Sequence, residues 1–386
     1  MTALRYAWLP DHHLDVASTL AHADEVISQA SSLLLDYQTQ PGGIIALRES
    51  STNTHNRLIV AGIAPIPKKI PLLVADALNA LRNALEHTLF AEVEFRDGVL
   101  SVRTAKQVQM PAMETYSAFH DWVKGRTKNG PPSLRRGSDL LKRIEDLQPF
   151  HRTQDAKSHP MAVLALHTNH SKHRAPVVTA LGLAGVLRDD GPPESLADFE
   201  RRPETPIQVG DVIAEAPRGV QIPMSLYPTI GINRPGTDRW PVLVHELKEL
   251  SEWVRLQAVP RIITGEAPPM SSLPAWYEIA SGQMDERLAL SEGVADSATD
   301  RYRERLAAAT LRSSMAEILS RMDSAPSLEE TRAWFASLSD REVIDRMRQL
   351  NPNSYGDVTT VLNNVAVLET MRDDARRFAD VEGRSE

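Results

Sequence analysis

Arg82, Asn83 and His87 stand inside the apolar-periodic run PLLVADALNALRNALEHTLF, and all three are side chains that do chemistry. Histidine exchanges protons near neutral pH, arginine is a permanent planar cation, and asparagine both donates and accepts hydrogen bonds. At about 100° per helical residue, Val74, Leu78, Leu81, Leu85 and Leu89 share one face of this segment. Asp76, Asn79, Asn83 and His87 line up on the opposite face, with Arg82 and Glu86 on its flank one turn apart. Two readings of that line stand. It is the wet side of an amphipathic helix, or it is a site, because Asp, Asn and His are poorer helix formers than the Lys and Glu of an ordinary solvated face.

A second concentration is HTNHSKHR, in which His167, His170 and His173 recur every three residues beside Lys172 and Arg174. The outer two imidazoles diverge around a helix axis, and the run holds no acidic residue, so a metal site is not expected there. One reading is a helix C-terminus whose cations complement the macrodipole; the other is a phosphate-contacting site formed by His170, Lys172, His173 and Arg174 beside His87. The stretch KGRTKNGPPSLRRGSDLLKR is the most basic of the chain and reads as a solvated loop or a phosphate-contacting one. His12 and His13 sit where a helix begins and, with His22, are not expected to bind metal. HELKE at 245–249 lacks the second histidine of a zincin, and no phosphate-binding loop, dinucleotide fingerprint or nucleophile elbow occurs. No metal and no cofactor are expected.

Arg82-Asn83, three residues, then His87 resembles the R-polar-x3-H signature of the HEPN superfamily, helical domains of toxins, abortive-infection proteins and RNA-processing nucleases. The likeness spans six residues of 386. It implies a metal-independent endoribonuclease of defence or toxin systems, a homodimer in which the Arg and His of two subunits face one cleft. Arg82 would then stabilise the phosphate, His87 would transfer protons and Asn83 would orient the pair. That chemistry needs a group titrating near neutrality and a fixed cation for the charge that builds on phosphorus. A broader pattern, DALNALRNALEH (76–87), LQPF (147–150) and SKHR (171–174), is similar to uncharacterised actinobacterial and phage-associated proteins with DALxxLRxxLDH, LQPY and DKHR. It covers about 13–265 and carries no function; Ser171 replaces its acidic residue.

The elements that must position these residues are mostly helical. Apolar periodicity predicts helices over 14–37, 71–90, 139–147, 159–173 and 241–259, the last ended by Pro260. Short β-runs at 44–49 and 58–63 predict a hairpin or two short strands, and AEVEFRDGVLSVRTA predicts a hairpin turning at Asp97-Gly98. A small antiparallel sheet is expected between about 175 and 238, and helices at 276–291, 294–322, 327–337, 340–350 and 356–381. The expected class is mainly α with a minor β component: a helical domain with inserted strands at 1–265, a linker at 266–275, and an all-α domain at 276–386.

With 42% hydrophobic and 24% charged residues the chain reads as an ordinary globular protein. A net charge of -8 argues against coating nucleic acid by global attraction but leaves a local RNA site open. The absence of cysteine excludes disulfides, thiolate metal sites and cysteine nucleophiles. No apolar stretch is long enough for a bilayer and the N-terminus lacks a signal pattern, so a cytoplasmic location and no membrane partner are expected. The rival to an RNA-directed function is a non-catalytic interaction or assembly protein, with the C-terminal helices mediating a protein contact, oligomerisation or, through LSDREVIDRMRQL and the following helix, DNA binding.

Overall fold

The computed structural model describes residues 6–126, 130–174, 176–188, 200–201, 205–220, 224–265, 269, 271–351 and 357–382. Helix takes up 57% and strand 13%, so the chain is mainly α with a minor β component. Its centre is an antiparallel pair, α1 (Leu14–Gln38) and α2 (Lys69–Asp97), joined by the hairpin β1 (Ile45–Ser51) and β2 (His55–Ile63). Alanines at 17, 21, 23 and 30 on α1 and at 77, 80 and 84 on α2 are buried, and their small side chains let the two backbones approach. Val16, Leu20, Ile27 and Leu34 meet Val74, Leu78, Leu81, Leu85 and Leu89 in the same core.

The expected second hairpin does not form. Leu85, Leu89 and Val93 continue one buried stripe at four-residue spacing, which carries α2 through to Asp97. Gly98 then stops it at φ 78°, its N–H bonding to the Glu94 carbonyl at 2.9 Å. Asp-Gly here ends a helix instead of turning a hairpin. Val99 and Val102 are exposed, and the expected return strand becomes one turn, α3 (Val102–Ala105), capped by Ser101.

Next come α4 (Tyr116–Arg126), which the sequence pattern did not predict, α5 (Asp139–Asp146) and α6 (Pro160–His173). Ser138 caps α5, and His159 Nδ1 caps α6 by accepting from Met161 N–H at 3.2 Å. Between β3 (Thr179–Arg188), β4 (Glu200–Arg201), β5 (Val212–Pro217) and β6 (Met224–Ile232) the pairing is split. β4-β3-β6 form one antiparallel sheet, while β5 leaves it and joins β2, with Leu58 opposite Ala214. Val60 and Ile213 of one sheet share a small apolar cluster with Leu183 and Val186 of the other.

α7 (Leu243–Trp253) runs through a π turn, Val254–Ala258, into α8 (Val259–Thr264). Pro260 therefore does not end the helix. The wider turn just before it accommodates the missing N–H and the ring, and Gly265 at φ 76° is the stop. Of the expected linker, 266–268 and 270 lie outside the described residues, whereas Leu273 and Ala275 are buried. The expected helix at 276–291 is mostly irregular: Trp276 bridges Val294, and only α9 (Glu286–Ser291) is helical.

α10 (Ala298–Ser320) belongs to two cores. Ala298 and Tyr302 pack in the main one, and Ala308, Met315, Ala316 and Leu319 pack in a second with α11 (Leu328–Ser337), α12 (Asp340–Met347) and α13 (Val358–Glu382). Asp24 of α1 docks it, accepting from Ala298 N–H and from Arg301 Nη2, both at 2.7 Å. Ser327 and Ser339 begin α11 and α12 with capping boxes closed by Glu330 and Glu342. The segment expected to turn between α12 and α13, 352–356, lies outside the described residues. Among the described residues no helix is long and apolar enough to cross a membrane.

Candidate functional site

The polar line of α2 is exposed at Asp76, Asn83 and His87 and half-buried at Asn79. Asp76, Asn79, Asn83 and His87 form one wall of an open groove of about 830 Å3, and Ser18, Thr19, His22 and Gln29 of α1 form the other. Leu73, Val26 and Ile279 add apolar surface. Asn79 lies lower than its neighbours, and its Oδ1 is buried without a hydrogen-bond partner. Asn83, His87 and His22 are exposed to the groove's opening.

One histidine tautomer follows from the geometry. The Thr19 hydroxyl donates its single hydrogen to the Asp15 carbonyl at 2.7 Å. The 3.3 Å contact between Thr19 Oγ1 and His87 Nδ1 is then an Nδ1–H donating to the hydroxyl oxygen, which leaves Nε2 of the neutral ring as an acceptor.

Arg82 is elsewhere. It pairs with Glu86 at 2.6 Å and donates through Nη2 to the Met110 carbonyl, while Glu86 Oε2 accepts from Met110 N–H at 2.7 Å. Its Nη1 is buried and unpartnered, and its side chain is only 13% exposed. The two residues thus clamp both backbone groups of Met110. Gln148, wholly buried, holds the same loop from the other side: it accepts from Met113 N–H at 3.0 Å and donates to the Pro111 and Ile144 carbonyls at 3.2 and 3.0 Å. Arg82 and Glu86 of DALNALRNALEH and Gln148 of LQPF therefore converge on residues 110–113.

The second cluster is divided in the same way. His167 is fully buried, its Nε2 at 3.4 Å from Glu246, which also takes a two-pronged contact from Arg234 at 2.8 and 2.7 Å. Lys172, His173 and Arg174 are exposed at the C-terminus of α6, and His170 is half-buried with an unpartnered Nδ1. None of His170, Lys172, His173 and Arg174 lines the groove with His87. In the basic segment, Arg126 stacks over Trp122 at 3.8 Å and donates to the Gln107 carbonyl, and Arg143 donates to the Ile262 and Ile263 carbonyls near the end of α8. Lys128 lies outside the described residues; Lys124, Arg136 and Lys142 are exposed.

Besides Asp24, sequence spacing missed the buried carboxylates Glu246 and Glu92. Glu246 sits in HELKE, where it is Glu246 and not His245 that turns inward. Glu92 takes His13 Nε2 at 2.9 Å and Arg96 at 2.9 and 3.0 Å, with His12 Nε2 at 3.6 Å. Burial pushes both carboxyls up, but the hydrogen bonds from histidine and arginine outweigh it and hold each below the usual glutamate range. Each carboxylate lies 79 residues from its buried histidine, a separation to which no local pattern is sensitive. His12, His13 and Glu92 bring three metal-ligating atoms within 4.8 Å of one another.

Comparison with known proteins finds no matching family model, no matching curated protein and no matching solved structure.

Proposed function

We propose that the groove between α1 and α2 binds single-stranded RNA through hydrogen bonds to base edges and sugar hydroxyls. The carrying observation is a groove whose two walls supply asparagine, glutamine, histidine, aspartate and hydroxyl groups. Those are side chains that read unstacked bases and 2′-hydroxyls. Among the described residues no arginine or lysine lines the groove, so phosphate contacts contribute little. The R-polar-x3-H resemblance supports RNA as the ligand class. Within that reading the chain is a binder and not a nuclease, because Arg82, the cation that cleavage by this motif needs, is engaged with Glu86 and Met110.

Labelled single-stranded RNA titrated in EDTA tests this. Binding is expected to fall in Asn83→Ala and His87→Ala, to survive in Arg82→Ala, and to depend weakly on salt. Binding indifferent to Asn83→Ala and His87→Ala combined would refute it. RNA cleavage that disappears in both Arg82→Ala and His87→Ala, with folding intact, would restore the nuclease reading.

A second reading rests on its own observation. Val358, Val361, Leu362 and Val365 are exposed at helical spacing on the first turns of α13, although Met371 and Ala375 further along are buried in the C-terminal core. We propose that this stripe pairs with its copy in a second chain, as a heptad seam does. Sedimentation should then show a dimer that Leu362→Glu converts to monomer; a wild-type monomer at high concentration rules the pairing out.

A further inference from the structure

We propose that His12, His13 and Glu92 bind a divalent transition metal of the zinc type, with Nε2 of both imidazoles and Oε1 of the carboxylate as protein ligands. The distances carry it. Nitrogen and oxygen ligands on tetrahedral zinc lie about 3.4 Å apart, given bonds of about 2.0–2.1 Å. His13 Nε2 and His12 Nε2 stand 2.9 and 3.6 Å from Glu92 Oε1, on either side of that value, and all three atoms lie within 4.8 Å.

The surroundings are those of a built site. His13 is fully buried and Glu92 nearly so, and His12 Nε2 is a buried nitrogen without a hydrogen-bond partner, aimed at Oε1. Arg96 bonds to Oε2, the other carboxylate oxygen, which fixes the carboxyl plane and leaves Oε1 toward the imidazoles. Phe95 stacks on His12 at 4.4 Å and 10°, holding its ring. Across the turn, Arg287 donates to the Leu9 carbonyl and to Asp11, which anchors the segment just before the two histidines.

Two imidazoles and one carboxylate select zinc, cobalt or nickel over magnesium and calcium, which prefer all-oxygen shells. Three protein ligands leave a position for water, on the side where His12 is 28% exposed. The bound ion joins the turn before α1 to the last part of α2, five residues beyond His87.

The test uses the full chain, stripped with EDTA and titrated with zinc alone by equilibrium dialysis, then with cobalt by visible absorption. One equivalent is expected, with the ligand-field bands of four- or five-coordinate cobalt, and zinc should raise Tm. His12→Ala, which alters a partly exposed ring and so leaves the fold intact, should abolish the equivalent and the Tm shift. His22→Ala and His173→Ala should retain both. Absence of a saturable equivalent, or an equivalent that persists in His12→Ala, overturns the proposal.

Discussion

Replacing Arg82 with alanine separates a residue that holds the fold from one that works in the groove. The substitution removes the guanidinium hydrogen bond to the Met110 carbonyl and the pair with Glu86, while Glu86 keeps its contact to Met110 N–H. Hydrogen bonds to charged groups contribute about 1.5–3 kcal/mol, a helical i,i+4 pair adds about 0.3–0.5, and alanine returns a few tenths in helix propensity. The expected loss is about 2 kcal/mol, read as a lower urea midpoint. Hydrogen exchange locates it: the Met110 amide should exchange faster, while amides in the buried middle of α1 should not. RNA affinity per folded molecule should be unchanged. A stability change under about 0.5 kcal/mol with unaltered Met110 protection would refute the clamp, and a collapse of RNA binding alongside it would return Arg82 to the site.

Removing the Glu246 carboxyl in Glu246→Ala strands Arg234 and His167 and should cost about 3–5 kcal/mol by urea unfolding; a cost below about 1 kcal/mol would mean that the triad is not coupled. Gly98→Ala places a side chain at φ 78°, ψ -172°, with open space around the added carbon. Backbone strain alone should destabilise it by about 1–3 kcal/mol, and an unchanged melting curve would contradict that. His159 supplies a pH dependence: burial foremost, then Arg152 and His151, lowers its pKa from 6.5 to about 4. The unfolded chain therefore takes up a proton between those values that the folded chain refuses. This stability is fully present above pH 6.5 and is lost as pH falls toward 4. After allowance for solvent screening it amounts to about 1–2 kcal/mol. His159→Asn, which keeps a cap for α6, should flatten that slope in urea titrations across the window; an unaltered slope assigns it to other groups.

What the sequence determined by itself was the local order. Apolar residues at three- and four-residue spacing specify α1, α2, α10 and α13, and the polar line Asp76, Asn79, Asn83 and His87 follows from the same arithmetic, because both depend only on neighbours along one helix. Strand-like composition misled at 91–105, where burial of Val93 against the core extends the helix and Gly98 serves as its stop. Pro260 misled in the same way, since a π turn absorbs it.

The tertiary structure alone decided which of the chemically able residues share a space. Arg82 and His87 are five positions apart, yet packing sends one to the Met110 loop and the other to the groove. His12, His13 and Glu92, far apart in sequence, are brought together by the antiparallel course of α1 and α2. A helical period states which face a side chain leaves from, but what that face meets is set by the long-range packing of other helices against it.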